Sequence, residues 1–231
     1  MTLRNCILIL SAALCCSSAS AEGFLSSETS DRLITFGARI GLNTSNVTMS
    51  DKVFPDYNIN SWGNGFDAGI VADICFRDFI SLQPGFFFQS RTGRYFYGDR
   101  EESSFWGDDL YIQTGHLRSY RFYIPVVASL HFNITGALRW DVDFGPYLAA
   151  NLYSNEGNKI IYDYFEPTGL HVSEPMRLAA MEFGLKFGTG LRILDHYVVG
   201  VHYLAGLTDP WKADFAGGHA KCWTFTVGYD F

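Results

Sequence analysis

Residues 223–231 alternate without interruption: Trp223, Phe225, Val227, Tyr229 and Phe231 fall on one face of an extended chain, and Thr224, Thr226, Gly228 and Asp230 on the other. One rank suits hydrocarbon; the other is small and polar. Seven earlier segments repeat this period of two. Residues 35–43 set Phe36, Ala38, Ile40 and Leu42 against Gly37, Arg39, Gly41 and Asn43, and residues 67–76 set Ala68, Ile70, Ala72, Ile74 and Phe76 against Asp67, Asp73 and Cys75. In residues 79–95, Ile80, Leu82, Phe86 and Phe88 oppose Ser81, Gln83, Gly85, Gln89 and Arg91, while Phe87 falls on the polar side. A fourth segment ranks Phe122, Ile124, Val126, Ala128, Leu130 and Phe132 against Arg121, Tyr123, Ser129 and His131. Residues 138–153 place Trp140, Val142, Phe144 and Leu148 opposite Arg139, Asp141, Asp143, Gly145 and Tyr147. The sixth segment opposes Met181, Phe183, Leu185, Phe187 and Leu191 to Glu182, Lys186 and Arg192, and the seventh opposes Tyr197, Val199, Val201 and Tyr203 to Gly200, His202 and Gly206.

The intervals between these segments are of two kinds. Residues 44–64, 96–115, 154–175 and 208–219 are long and polar, whereas residues 77–78, 133–137 and those around Asp195 are tight turns. Long and short intervals alternate along the chain, as they do in outer-membrane barrels with long loops outside the cell and short periplasmic turns. The expected fold is therefore all-β: an eight-stranded antiparallel up-and-down transmembrane β-barrel. Pro125 interrupts the fourth segment and predicts a bulge or a local break in the ladder, because proline has no N–H to donate.

A soluble eight-stranded barrel would alternate too, so volume decides which rank faces inward. With the charged rank outside, the lumen would have to hold more than a dozen phenylalanine and tryptophan rings, and an eight-stranded tube is only just wide enough for ordinary side chains. The charged and glycine-rich rank fits inside. Its charges then need partners, since an unpaired charge in a low-dielectric lumen costs several kcal/mol. Arg39, Arg91, Arg121, Arg139, Lys186 and Arg192 can meet Asp67, Asp73, Asp141, Asp143, Glu182 and Asp230. A packed ion-pair network is expected in place of an open pore.

Composition narrows the picture further. Aromatics make up 16% of the 231 residues, yet no apolar run approaches the ~18 residues of a spanning helix, so any crossing must be by strands. Arg4, the apolar stretch from Cys6 to Cys16 and Ala19-Ser20-Ala21 read as a secretory signal over residues 1–21, leaving 22–231 as the barrel domain. Of the five cysteines this leaves Cys75 and Cys222, which the strand order puts at opposite ends of the tube, too far apart for a disulfide. The formal charge of −7 falls largely on the long loops, which excludes nucleic acid as a partner. Acidic loops would suit divalent cations bridging to lipopolysaccharide phosphates, although a merely solvated loop surface accounts for them more simply.

Several short motifs resemble the PorT-like outer-membrane β-barrel family of the Bacteroidota: Phe36-Gly37-Ala38-Arg39-Ile40-Gly41-Leu42-Asn43, Leu82-Gln83-Pro84-Gly85, Tyr123-Ile124-Pro125-Val126, Gly145-Pro146-Tyr147, Gly188-Thr189-Gly190 and Gly228-Tyr229-Asp230-Phe231. The resemblance implies an integral barrel in contact with outer-membrane lipid and lipopolysaccharide. It also implies insertion by the barrel-assembly machinery through the terminal Phe231; the name-giving member is tied to a secretion apparatus, a role not carried over because the shared motifs belong to the scaffold, and envelope or secretion-complex proteins stand as an alternative class of partner.

No motif of catalysis or ligand binding stands out, and no catalytic, cofactor-binding or metal site is assigned. His116, His171 and His219, with Ser119 and Ser173, lie in or beside the long loops and are the residues a lipid-modifying enzyme or a metal site would have to use. Their spacing has no pattern, and scattered loop histidines are the simpler reading. His131 and His202 are expected to complete lumenal hydrogen bonds. The loop aromatics Tyr57, Trp62, Tyr97, Phe105, Trp106, Tyr162, Tyr164, Phe165 and Trp211 could form a contact surface. The expectation is a non-catalytic integral outer-membrane protein serving envelope structure or surface contact. The alternatives are an accessory part of a secretion complex and, less favoured, a lipid-modifying enzyme.

Overall fold

Each of the eight alternating segments is a strand in the computed structural model, which describes residues 25, 33–48, 59–100, 110–154, 159–162, 172–175, 178–212 and 218–231. In chain order the strands are β1 (Ile34–Val47), β2 (Ile59–Arg77), β3 (Ile80–Arg100), β4 (Leu110–Thr135), β5 (Leu138–Ser154), β6 (Lys159–Tyr162), β7 (Val172–Pro175), β8 (Met181–Ile193), β9 (Tyr197–Gly206) and β10 (Ala220–Asp230). Eight of them close a barrel in the order β1-β10-β9-β8-β5-β4-β3-β2, and every pair is antiparallel. The seam joins the first strand to the last, from Gly37↔Asp230 to Val47↔Ala220. Closure leaves no edge in the wall of the tube, which hydrocarbon requires of any sheet that crosses it. The expected signal segment, residues 1–21, lies outside the described residues.

The aromatic rank faces outward. Phe36 is 64% exposed and Leu42 70%, whereas Arg121 on the opposite rank is fully buried. Phe87 turns into the lumen as its position in the alternation demands. The tight turns are at 78–79, 136–137 and 194–196. The first is displaced by one residue from the expected 77–78, because Arg77 still pairs with Ile80. Leu194 and Asp195 close the last turn in the left-handed region, at φ 53° and 60°, a conformation that costs a branched residue energy.

Three expectations about the strand ends need correction. The ladders outrun the hydrophobic pattern: β1 continues to Val47 and β2 begins at Ile59, inside the expected loop 44–64, and β3 and β4 stay paired as far as Arg100↔Leu110, inside the expected loop 96–115. Beyond the hydrocarbon both faces of a strand meet water, so nothing there selects an apolar rank. The connection at 154–175 carries a small separate hairpin, β6 with β7. At Pro125 the expected local break in the ladder is found, without a bulge: Pro84↔Val126 and Phe87↔Tyr123 keep one register across the gap. The shifts in register lie elsewhere, between Trp62 and Phe66, Cys75 and Arg77, Tyr120 and Arg121, and Asn133 and Thr135.

Cys75 lies beside Ser81 near the turn end and Cys222 beside Ser45 near the loop end, and no disulfide joins them.

Candidate functional site

The inward rank builds the lumen in three levels. At the turn end, Arg192 is shared among three carboxylates, with Nη2 2.8 Å from Asp73 Oδ2, Nε 3.3 Å from Asp141 Oδ2 and Nη1 3.4 Å from Asp230 Oδ2. Arg39 adds a second contact to Asp230 at 2.6 Å, so the seam between first and last strands is also held by charge. Arg39 has room because its cross-strand neighbour is Gly228; a methyl there would collide with the arginine's Cδ.

The middle level is more apolar. Phe87 stacks on Tyr123 with ring centroids 4.9 Å apart, and Tyr147, Ala149, Leu204 and Cys222 pack around them. The Lys186 ammonium sits 5.3 Å from the centre of the Phe87 ring and makes no hydrogen bond among the described residues; Asp143 and Asp67 balance its charge. Asp143 also accepts from Ser129 at 2.6 Å and lies 3.0 Å from His202 Nε2. A cavity of about 30 Å³, bordered by Lys186, His202 and Asp143, is large enough for about one or two waters.

At the loop end the signs reverse. Glu182 Oε1 accepts from Arg121 Nη1 at 2.6 Å and from the Tyr147 hydroxyl at 2.7 Å, and Oε2 faces Arg91 at 3.4 Å. Arg121 Nε donates to Gln89 Oε1 at 2.6 Å. All twelve charges expected in the lumen are on the lumenal face; eleven of them are buried, and Arg139, 3.7 Å from Asp141, is the partly exposed one.

One grouping was not foreseen. Ser81 Oγ lies 2.8 Å from His131 Nε2, and His131 Nδ1 lies 2.7 Å from Asp141 Oδ1. This has the connectivity of a serine hydrolase triad. The signal for half of it was in the sequence, since His131 and Asp141 face each other directly across the tight turn at 136–137. The surroundings argue for a structural role. Ser81 and His131 are 1% and 2% exposed, and Arg192 and Arg139 share Asp141 with the histidine. A nucleophile needs a reachable reacting atom and an oxyanion site beside it, and neither is built here.

Among the loop candidates, Ser119 is buried on the lumenal face of β4 and His219 is exposed beside β10, with no hydrogen bond between them. The backbone of His116 lies in β4 and that of Ser173 in β7, and His171 lies outside the described residues. Trp211, expected on a contact surface, is instead buried. It bridges to Leu178, its Nε1 donates to the Thr48 carbonyl at 3.0 Å, and Thr48 in turn pairs with His219, so three connections are tied together over the loop end. Asn43 points into the lumen and donates to Asp67 at 2.9 Å.

A model of the outer membrane protein beta-barrel domain matches residues 21–210. The chain belongs to this family. Its place is accordingly the outer membrane. Among solved structures the barrel is similar to Ail, the attachment invasion locus protein of Yersinia pestis (17% identity over 87% of this chain and 100% of that one, TM-score 0.41). It is also similar to OprG of Pseudomonas aeruginosa (10%, 90% and 98%, TM-score 0.45) and to Neisserial surface protein A (10%, 85% and 97%, TM-score 0.44). Likenesses this distant carry no functional argument. No curated protein matches the sequence.

Proposed function

We propose that this is a non-catalytic outer-membrane barrel whose lumen is a structural core and whose working surface is its loop end, directed away from the cell. The observation that carries this reading is the filled lumen, into which all eight barrel strands turn buried polar and charged side chains, and where the cavity beside Lys186 has room for about one or two waters. The role is envelope structure or surface contact, with outer-membrane lipid and lipopolysaccharide around the barrel. Phe231, 70% exposed beside the seam, is the end offered to the barrel-assembly machinery.

A deletion strain tests this. It should become more sensitive to detergent, recover with the full chain, and show an unchanged lipid A acyl pattern throughout. A lipid A pattern that changes on deletion and returns with the chain would instead make the protein an enzyme. The motifs shared with the PorT-like family support a second reading, an accessory secretion component, for which lost secretion from an otherwise intact envelope is the distinguishing result.

A further inference from the structure

The lumenal cavity beside Lys186 has a wall of two glycines. Gly190 and Gly200 face each other across β8 and β9, and neither sends a side chain into the tube. Phe87 borders the cavity towards the loop end and Val198 towards the turn end. Its volume of about 30 Å³ admits a water or a monatomic ion and is too small for phosphate or sulfate.

Most charged groups that line it are already engaged. Asp141 is held by His131, Arg139 and Arg192, and Asp143 by Ser129 and His202. Arg192 is shared among its three carboxylates, and Arg39 holds Asp230. Two groups are left over. The Lys186 ammonium, on a side chain 7% exposed, makes no hydrogen bond among the described residues, and neither does His202 Nδ1.

His202 Nε2 faces the Asp143 carboxylate at 3.0 Å and so carries a proton. In the neutral ring Nδ1 is then a lone pair; in the imidazolium it becomes a second donor beside Lys186. The charged groups around the ring are Lys186 on β8, Asp143 on β5 and Arg39 on β1. A proton added to the ring therefore meets two cations and one anion. Six basic and six acidic side chains balance in the described lumen, so an anion entering alone would be uncompensated, and so would a proton. Together they are neutral.

We infer that this cavity is a halide site, filled by chloride as His202 takes up a proton. Lys186 and the Nδ1–H of His202 donate charge-assisted hydrogen bonds to the ion and replace its lost water. The halide binds below the pH at which His202 titrates and leaves as the pH rises, one proton with each ion. With Phe87 across its loop side, the site holds the ion without passing it through the barrel. It does not depend on the loop-end surface.

The test is nitrogen NMR of the histidine rings in the full chain, in lipid nanodiscs, titrated in sodium bromide and in sodium gluconate at equal ionic strength. His202→Gln cannot take the proton and identifies the His202 signal by its loss. Bromide should raise the pH at which His202 Nδ1 is half protonated, by about one unit for each tenfold increase beyond its Kd, and leave the other histidines as they are in gluconate. Lys186→Met, shown folded by a heat-modifiable gel shift, should lose the bromide effect. Equal His202 midpoints in the two salts would overturn the inference, as would a ring that stays neutral throughout in bromide. So would a bromide shift retained in Lys186→Met, since the ion would then act elsewhere. The comparison of salts uses the native chain and stands whether or not the variant folds. All of these outcomes leave the detergent and lipid A tests of the barrel's role untouched.

Discussion

At the turn end of the lumen one guanidinium, Arg192, serves Asp73, Asp141 and Asp230, whereas at the loop end one carboxylate, Glu182, serves Arg91 and Arg121. The aromatic level around Phe87 and Tyr123 separates the two groups. They also differ in reserves. Arg39 also contacts Asp230, and Arg139 and His131 contact Asp141, so among the described residues only Asp73 depends on Arg192 alone. Among the described residues the loop-end arginines make an ion pair only with Glu182, beside the neutral Gln89 and Tyr147, and Asp67 reaches Arg121 only through space. A buried charge costs most when its single counter-ion is removed, so the two ends should respond unequally to the same kind of mutation.

Glu182→Ala tests this most severely. It strands Arg91 and Arg121 together and should lower the unfolding free energy in urea, measured in lipid vesicles, by about 3–5 kcal/mol. Arg192→Ala strands one buried charge, Asp73, where Glu182→Ala strands two, and should cost about 3 kcal/mol, because Arg39 keeps Asp230 and His131 keeps Asp141; a loss larger than that of Glu182→Ala would break the comparison. Gly228→Ala probes the turn end by bulk, since its methyl pushes Arg39 from Asp230, and a loss of about 1–3 kcal/mol in the same assay is expected. Lys186→Met should cost about 1–2 kcal/mol, since Asp143 and Asp67 lose a nearby cation while the ammonium gives up no hydrogen bond among the described residues and Asp143 keeps Ser129 and His202.

The ranks of the lumen were legible because the strand period is two and tight turns fix register; Arg39, Lys186 and Glu182 could be placed inside from the sequence. Contacts across one short turn were legible in principle, as His131 opposite Asp141 shows. Contacts across the tube were not. Arg192 meets Asp73 from 119 residues away, through the tilt and stagger of eight strands, which no local pattern records. The outer ends of β2, β3 and β4 are hidden in the sequence for a different reason: outside hydrocarbon the ladder persists while the apolar rank that would betray it disappears. Trp211 was misplaced because the packing of one connection on another has no period at all.

The sealed lumen is tested most directly by electrical recording. Purified folded barrel, reconstituted in planar lipid bilayers under voltage, should leave the baseline current unchanged, because the charged rank fills the tube and pairs with itself. Stable, reproducible conductance steps from the native chain would mean that ions pass where Arg192, Lys186 and Glu182 are held to close the path, and would contradict the account.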